Sequence, residues 1–245
     1  MLIRPIRATG MSTRLFGTDG VRGTPGEPPL DERTLARLGA AVVRMHSGAG
    51  ASVQVLIGRD TRESGEWITA QLARGIESET GSVTDGGLLS TPAVAFLTRD
   101  GEFDAGIVVS ASHNPFRDNG VKVITGDGEK ADDDLEARIT ALVTDETWAV
   151  PDTPVPSVES IAFSESYIAH TSRILNGVTV PADLRIAIDC ANGATSQLAP
   201  AVLRGLGLDP IVLHDRPDGR NINLDCGSTH PERLARVVVE QGGRL

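Results

Sequence analysis

The stretch Ser110-Ala111-Ser112-His113-Asn114-Pro115-Phe116-Arg117-Asp118-Asn119-Gly120-Val121-Lys122 gathers hydroxyls, an imidazole, amides and three charges in thirteen residues. Ser112 is the hydroxyl to ask about, and its neighbours leave two chemistries open. A hydrolase serine usually lies in G-x-S-x-G on a strand-to-helix elbow, with a remote histidine and an acid. Here His113 is the next residue, and in an extended loop adjacent side chains point to opposite sides. A serine that carries a phosphoryl group needs other help: cations and backbone donors around a dianion, with a proton donor and acceptor nearby. Arg117 and Lys122 flank the loop, and Lys122 is one of only two lysines in the chain. A plainer role also stands, in which Ser112 caps a turn and Lys122 is a solvated charge.

The elements around Ser112 must hold it away from a core. Gly106-Ile107-Val108-Val109 is a short apolar run and predicts a buried strand. Val121 to Thr125 predicts a second strand, and Asn119-Gly120 before it is a turn signal that supports positive φ, predicting a hairpin. Pro115 fixes its own φ and pushes Asn114 toward extended backbone, which stiffens the loop between them.

Taken in order, the chain repeats strand and helix. Gly17-Thr18-Asp19-Gly20 predicts a tight turn with N–H groups free to face an anion, followed by Arg22 on a short extended piece. Asp31 to His46 predicts a helix capped by Asp31, with Leu35, Leu38, Val42 and Met45 on one stripe. Ser52 to Ile57 predicts a strand. A helix carrying Ile68, Leu72 and Ile76 follows, with Asp60 or Ser64 as its cap and Arg59 and Arg62 near an anion-accepting start. Ser82 to Asp85 predicts a strand, and Thr91-Pro92 opens a short helix. Gly126-Asp127-Gly128 turns the chain, and Asp132-Asp133-Asp134 complements the start of a helix carrying Leu135, Ile139 and Leu142. Residues 145–160, with Pro151, Pro154 and Pro156, predict a linker. Beyond it come a helix (Glu165 to Leu175), a strand (Leu184 to Asp189), a helix through Leu198 to Leu206 and a strand (Pro210 to Leu213). Thr229-His230-Pro231-Glu232 has the form of a capping box before a last helix. The alternation predicts α/β layers with mostly parallel sheets.

Several ordered motifs together resemble the α-D-phosphohexomutase family. They are Phe16-Gly17-Thr18-Asp19-Gly20-Val21-Arg22-Gly23, Gly58-Arg59-Asp60-Thr61-Arg62-Glu63-Ser64-Gly65, Ser110-Ala111-Ser112-His113-Asn114-Pro115, Asp189-Cys190-Ala191-Asn192-Gly193-Ala194, and Asn221-Ile222-Asn223 leading to Cys226-Gly227-Ser228-Thr229. In detail they are similar to the bacterial phosphoglucosamine mutase branch, with phosphoglucomutases and phosphomannomutases as the alternative sugar specificity. The resemblance implies two successive phosphohexomutase-type α/β domains with mixed, mostly parallel sheets. It divides the chain into an extension (1–12), a first domain with the phosphoserine loop (13–150), a linker (151–160) and a second domain (161–245) that stops before the metal loop.

The resemblance also implies roles. Ser112 is the phosphoserine. Lys122, Arg22 and His113 belong to the catalytic site, with His113 and Asn114 shaping the loop, and Asn114 and Arg14 bind substrate. Mg²⁺ is held through the Ser112 phosphate and by aspartates of the form D-G-D-x-D-R that lie outside this chain, and a sugar bisphosphate is the activator. The implied substrate is a phosphosugar, a homodimer is compatible with the family, and the isolated chain is expected to be inactive. A non-catalytic module that keeps the fold is the rival from another class.

Length and composition set outer bounds. A chain of 245 residues is long enough for two domain cores. A net charge of −10 argues against nucleic acid as a partner and requires any anion site to concentrate its cations locally. Cys190 and Cys226 provide no disulfide framework, and Cys226-x3-His230 lacks the second pair that a zinc site needs. No apolar run is long enough for a bilayer span or a signal core, so a cytoplasmic address is expected.

Overall fold

In the computed structural model the described residues are 15–46, 52–156, 158, 160–174, 177, 181 and 183–241. The extension 1–12, Arg14 and Leu175 lie outside them. The first α/β unit runs β1 (Val21–Gly23), α1 (Glu32–His46), β2 (Gln54–Arg59), α2 (Gly65–Ser78), β3 (Ser82–Leu88), α3 (Thr91–Asp100), β4 (Ala105–Val109), β5 (Asn119–Thr125) and α4 (Asp133–Thr144). Its strands lie in the order β1-β5-β4-β2-β3. β2 runs parallel to β3 and β4, while β5 is antiparallel to both β4 and β1.

Strand alternation splits the apolar residues between two cores. Val55, Ile57, Ile107, Val109, Val121 and Val123 face α1, α2 and α4. Leu56, Val108 and Ile124 face α3 and its neighbours Phe163 and Tyr167. Both faces of the sheet are therefore covered. Asp31 caps α1, accepting from the Thr34 N–H at 3.1 Å, and Asp132 caps α4, accepting from the Leu135 N–H at 2.8 Å. The buried Arg37 guanidinium reaches from α1 to the carbonyls of Leu142 (3.0 Å), Val143 (2.6 Å) and Asp145, and lies 4.1 Å from the Trp148 ring. It thereby satisfies carbonyls that the end of α4 would leave unpaired.

Beyond the proline-rich segment, Ser160 bridges to Asp85 beside β3, and the Ile161 N–H donates to the Asp85 carbonyl at 2.7 Å. The second unit contains α5 (Ser164–Ile174), β6 (Ala187–Asp189), α6 (Leu198–Gly205), β7 (Ile211–Leu213), a 3-10 turn (Gly227–Thr229) and α7 (Glu232–Glu240). β6 and β7 pair in parallel. Three of the five strand pairings among the described residues are thus parallel, which bears out a mixed, mostly parallel α/β arrangement. No helix among these residues is long and apolar enough to cross a membrane.

Two local expectations fail. Asn119 and Gly120 do not form a hairpin turn; they open β5 and pair with Gly23 and Arg22. A Cβ at Gly120 would lie 2.8 Å from the Ser110 carbonyl and 2.9 Å from that of Val21, so close strand approach, not positive φ, requires glycine there. Nor does Thr229 cap α7. It sits in the 3-10 turn, and Pro231 occupies the cap position without a side-chain hydrogen bond.

Candidate functional site

Ser110 to Asp118 leaves the sheet at the carboxyl end of β4, beside the carboxyl end of its parallel neighbour β2. Ligand sites of open α/β sheets form at such ends. Ser110 still pairs with the sheet, its N–H donating to the Gly120 carbonyl at 2.9 Å. The chain then turns twice: the Asn114 N–H donates to Ala111 O at 3.2 Å, and the Asp118 N–H to Pro115 O at 3.1 Å. Ser112 adopts φ 57°, a left-handed conformation that costs an L-residue about 1–2 kcal/mol, and its side chain is exposed.

What holds this conformation lies beneath it. The Ser112 N–H donates to Ser110 Oγ at 3.1 Å, and the Ser110 hydroxyl donates to Asp60 Oδ2 at 2.6 Å. Asp60 is buried and accepts from both the backbone N–H and Nε of Arg62, each at 3.1 Å. The expectation that Asp60 caps α2 is therefore corrected: its carboxylate is spent on Ser110 and Arg62. Arg62 in turn donates to the carbonyls of Pro115 (2.6 Å), Ser112 (3.0 Å) and Asn114 (3.0 Å) with a wholly buried side chain. It grips main chain rather than waiting for an anion. Arg59 is likewise committed, to Asp85 at 2.6 and 2.7 Å and to Glu66 at 3.3 Å.

Cations gather on the other side of the loop. Lys122, on β5, is buried for most of its length, and its Nζ lies 3.1 Å from Asp19 Oδ1. Arg22, on β1, pairs with the other Asp19 oxygen and donates from Nη1 to Asn114 Oδ1 at 3.2 Å. Asn114 is oriented from its other end by Asp118, which accepts from its Nδ2 at 2.8 Å. The Gly17–Gly20 turn forms as expected, closed by Gly17 N–H to Gly20 O at 2.9 Å. Gly20 has φ 88°, and a Cβ on it would meet Val121 O at 2.5 Å and Lys122 Cγ at 2.9 Å. Only glycine lets this turn press on the lysine stem and bring Asp19 to its ammonium. Burial raises the Asp19 pKa, but the hydrogen bonds and charges of Lys122 and Arg22 outweigh it and hold the carboxyl below the usual aspartate range.

A depression beside this trio is lined by Phe16, Thr18, Asp19, Gly20, Arg22 and His113. Arg22 Nε is a buried donor without a partner among the described residues. Two cations against one carboxylate, with a donor uncommitted, is an arrangement that accepts a further anion next to the loop that carries Ser112. Acyl transfer fits less well, since His113 makes no hydrogen bond among the described residues and no acid orients it. Arg117 does not join the cations; its guanidinium lies 5.8 Å from the Phe116 ring.

The structure therefore brings Ser112, Asn114, Arg22, Lys122 and His113 to one end of the sheet. Sequence reasoning missed Asp19, a residue quoted only as part of a turn, and it missed Asn223. From the second unit, Asn223 Nδ2 donates to the carbonyls of Ser112 (2.8 Å) and Asn114 (3.0 Å). Further bonds join the units nearby: Thr61 Oγ1 to Asn192 O at 2.6 Å, Glu63 N–H to Gly219 O at 3.0 Å, and Arg220 Nε to Glu63 Oε2 at 2.6 Å.

A divalent cation finds no complete ligand set at Ser112 among the described residues. Asp19, Asp60 and Asp118 are each bound to cations or amides of the protein, so the residues present do not fit Mg²⁺ without additional ligands. The ligand atoms of Asp189, His214 and Cys226 do lie within 4.8 Å of one another. They too are committed. Asp189 accepts from Ala191 N (2.8 Å), Gly227 N (3.0 Å) and His214 Nδ1 (3.0 Å), while His214 Nε2 faces Arg233 Nη1 at 3.1 Å. This cluster knots the ends of β6 and β7 to the 3-10 turn.

Residues 13–150 match the family described as phosphoglucomutase/phosphomannomutase, alpha/beta/alpha domain I. A phosphoglucosamine mutase of Solibacter usitatus is 43% identical over 232 residues, covering 94% of this chain and 51% of the relative. One of Moorella thermoacetica is 45% identical over 244 residues, covering 95% and 52%. A crystal structure of a phosphoglucomutase/phosphomannomutase family protein from Burkholderia thailandensis superposes with a TM-score of 0.73 at 26% identity, covering 94% of this chain and 50% of that one. The chain spans about half the length of the curated relatives it matches. With its exposed serine on a left-handed turn behind β4 and its first unit matched end to end, the chain belongs to the phosphoglucomutase/phosphomannomutase family.

Proposed function

We propose that this chain carries the phosphoryl-donor half of a phosphoglucosamine mutase, which interconverts glucosamine 6-phosphate and glucosamine 1-phosphate for cell-wall precursor synthesis in the cytoplasm. The observation that carries the reading is Ser112: exposed, held from behind through its backbone, and on a loop that Asn114 ties to the Lys122–Asp19–Arg22 trio. The names of the relatives support the sugar.

On this reading Ser112 Oγ bears a phosphoryl group. A hydroxyl of the bound sugar monophosphate attacks phosphorus as the Oγ–P bond breaks, giving a sugar bisphosphate and a free serine. The bisphosphate turns over in the site, and its other phosphoryl group returns to Oγ, leaving the isomeric monophosphate. Little covalent chemistry is asked of the protein in such a transfer, so alignment and charge stabilisation supply most of the rate. Lys122 and Arg22 supply the charge. Asp19 holds both cations in place while the serine is bare and yields them when a dianion arrives. Asn114 ties Arg22 to the loop, and His113 and Arg14 contribute to the sugar-phosphate side. Mg²⁺ and a sugar bisphosphate activator belong to the proposal for the complete enzyme. By itself the chain is expected to give no turnover.

A second reading, phosphoglucomutase or phosphomannomutase, is favoured by the breadth of the matched family. Both readings are tested on the full-length protein with glucosamine, glucose and mannose 6-phosphates as rival substrates. Glucosamine 1-phosphate should form fastest, and Ser112→Ala should reduce it to background. Undiminished output from Ser112→Ala would sink the carrier role and leave a module that merely keeps the fold.

A further inference from the structure

We propose that Asn223 is a positioning residue for the Ser112 loop, through which the second unit sets the orientation of the phosphoryl-bearing serine; this rests on the carrier reading of Ser112. The carbonyls of Ser112 and Asn114 each receive two side-chain donors. Arg62 of the first unit supplies one to each at 3.0 Å, and Asn223 of the second supplies the other at 2.8 and 3.0 Å. Asn223 thus reaches a carbonyl 111 residues away in sequence, one that Arg62 already holds.

The chemistry of the grip is specific. A carboxamide nitrogen has two N–H donors, one for each carbonyl, and carries no charge to compete with a phosphate. A serine at φ 57° sits uphill of the ordinary backbone wells, so the peptide planes on either side of it must be held. The plane before Ser112 is held through its N–H by Ser110 Oγ, and Arg62 holds the plane after it through the Ser112 carbonyl. Asn223 closes the grip from the other unit.

Asn223 is itself well anchored. Its φ of 58° suits asparagine, its N–H donates to Ala191 O at 2.9 Å, and Asn192 Nδ2 donates to Asn221 O at 3.2 Å. Its position therefore follows the loop after β6. Any shift of the second unit against the first would be transmitted to the Ser112 and Asn114 carbonyls, and through Asn114 to Arg22. Asn223 touches no reacting atom; its influence runs through the loop.

The test places phosphoserine at position 112 of this chain and follows its ³¹P resonance against pH, next to a phosphoserine peptide of the same local sequence. Lys122 and Arg22 should lower the second phosphate ionisation by about half a pH unit or more relative to the peptide. Asn223→Gly keeps the left-handed backbone without strain and removes the amide. It should return at least half of that shift, with the Asn114 amide exchanging about 10-fold faster and an unchanged thermal midpoint. Arg220→Ala, which breaks a contact between the same units away from the loop, should change neither reading. An unaltered phosphate ionisation and unaltered Asn114 exchange in Asn223→Gly would overturn the proposal, and so would an equal effect from Arg220→Ala. If the phosphoserine of the unsubstituted chain titrates like the peptide, the cation reading of Ser112 fails instead. The exchange of Asn114 then decides the grip alone.

Discussion

Helix α1 buries nine of its fifteen residues, whereas α5 and α7 bury none. β2 and β4 are central strands covered on both faces, while β6 and β7 are three-residue strands of which no residue is fully buried. The first unit is thus held by apolar packing, the second largely by polar knots such as Asp189–His214–Gly227 and the loop from Asp215 to Asn223. That difference matches what each gives the site. A left-handed serine needs a rigid foundation, and the five-stranded sheet supplies it. The second unit gives polar groups on loops, which reach Thr61, Glu63, Ser112 and Asn114. A sheet buried on both faces resists displacement, while hydrogen-bonded loops at a unit boundary can shift.

The largest expected difference lies between two arginines. Arg62→Ala would leave the buried Asp60 carboxylate without its counter-charge, free the Pro115 carbonyl and remove one of the two side-chain donors to those of Ser112 and Asn114, so urea unfolding of this chain should lose about 3–5 kcal/mol. Arg220→Ala removes an exposed, solvent-screened pair with Glu63 and should leave the unfolding midpoint almost unchanged. If the two variants unfold alike, the loop is not founded on the first unit, and the contrast between the units fails at its centre.

How much of this could be read from residue order differs between the same two regions. The strands and helices of the first unit follow from their periodicity, and Asp31 is legible as a cap because an aspartate directly precedes the apolar stripe of α1, whereas the acidic run at Asp132 marks the start of α4 without saying which carboxylate caps it. Ser112 and Lys122 are legible from the residue types of their loop, while Arg22 joins them only through the family resemblance. Asp60 was misread because a carboxylate ahead of a helix looks the same whether it caps that helix or serves a hydroxyl fifty residues on. Asn119-Gly120 was misread because glycine serves close strand contact as readily as positive φ. Asn223 stands in a quoted motif, but its role could not be read from it. Its acceptors are carbonyls, which every residue possesses, so nothing in side-chain type marks the receiving end.

Apolar substitutions probe the packing side of the contrast. Ile107, on β4, is fully buried in the larger core, and Ile107→Ala should lower unfolding free energy by about 2–5 kcal/mol. Val239, on α7, is 61% exposed, and Val239→Ala should change it by no more than about 0.5 kcal/mol. A Val239→Ala cost approaching that of Ile107→Ala would mean that α7 is packed as firmly as the sheet.

The smallest effect is the most informative about the second unit, because it asks whether that unit is closed at all. Cys190 and Cys226 are both free and buried there. Burial, aided by the charges of Asp215 and Asp189, pushes the Cys190 thiol up to about 11, and burial with Asp189 and Asp225 raises Cys226. A thiol whose pKa is raised by folding stabilises the fold fully below its unfolded pKa of about 8.5, and that contribution fades as pH rises through the folded value. Stability should therefore decline between about pH 8.5 and 11, more in the native chain than in Cys190→Ala. At pH 8, iodoacetamide should modify neither thiol at an appreciable rate until denaturant opens the unit. Alkylation of Cys190 without denaturant, at the rate of a free cysteine, would show that the knot around Asp189 does not stay shut. The second unit would then be a loose attachment and not a partner able to hold the serine loop.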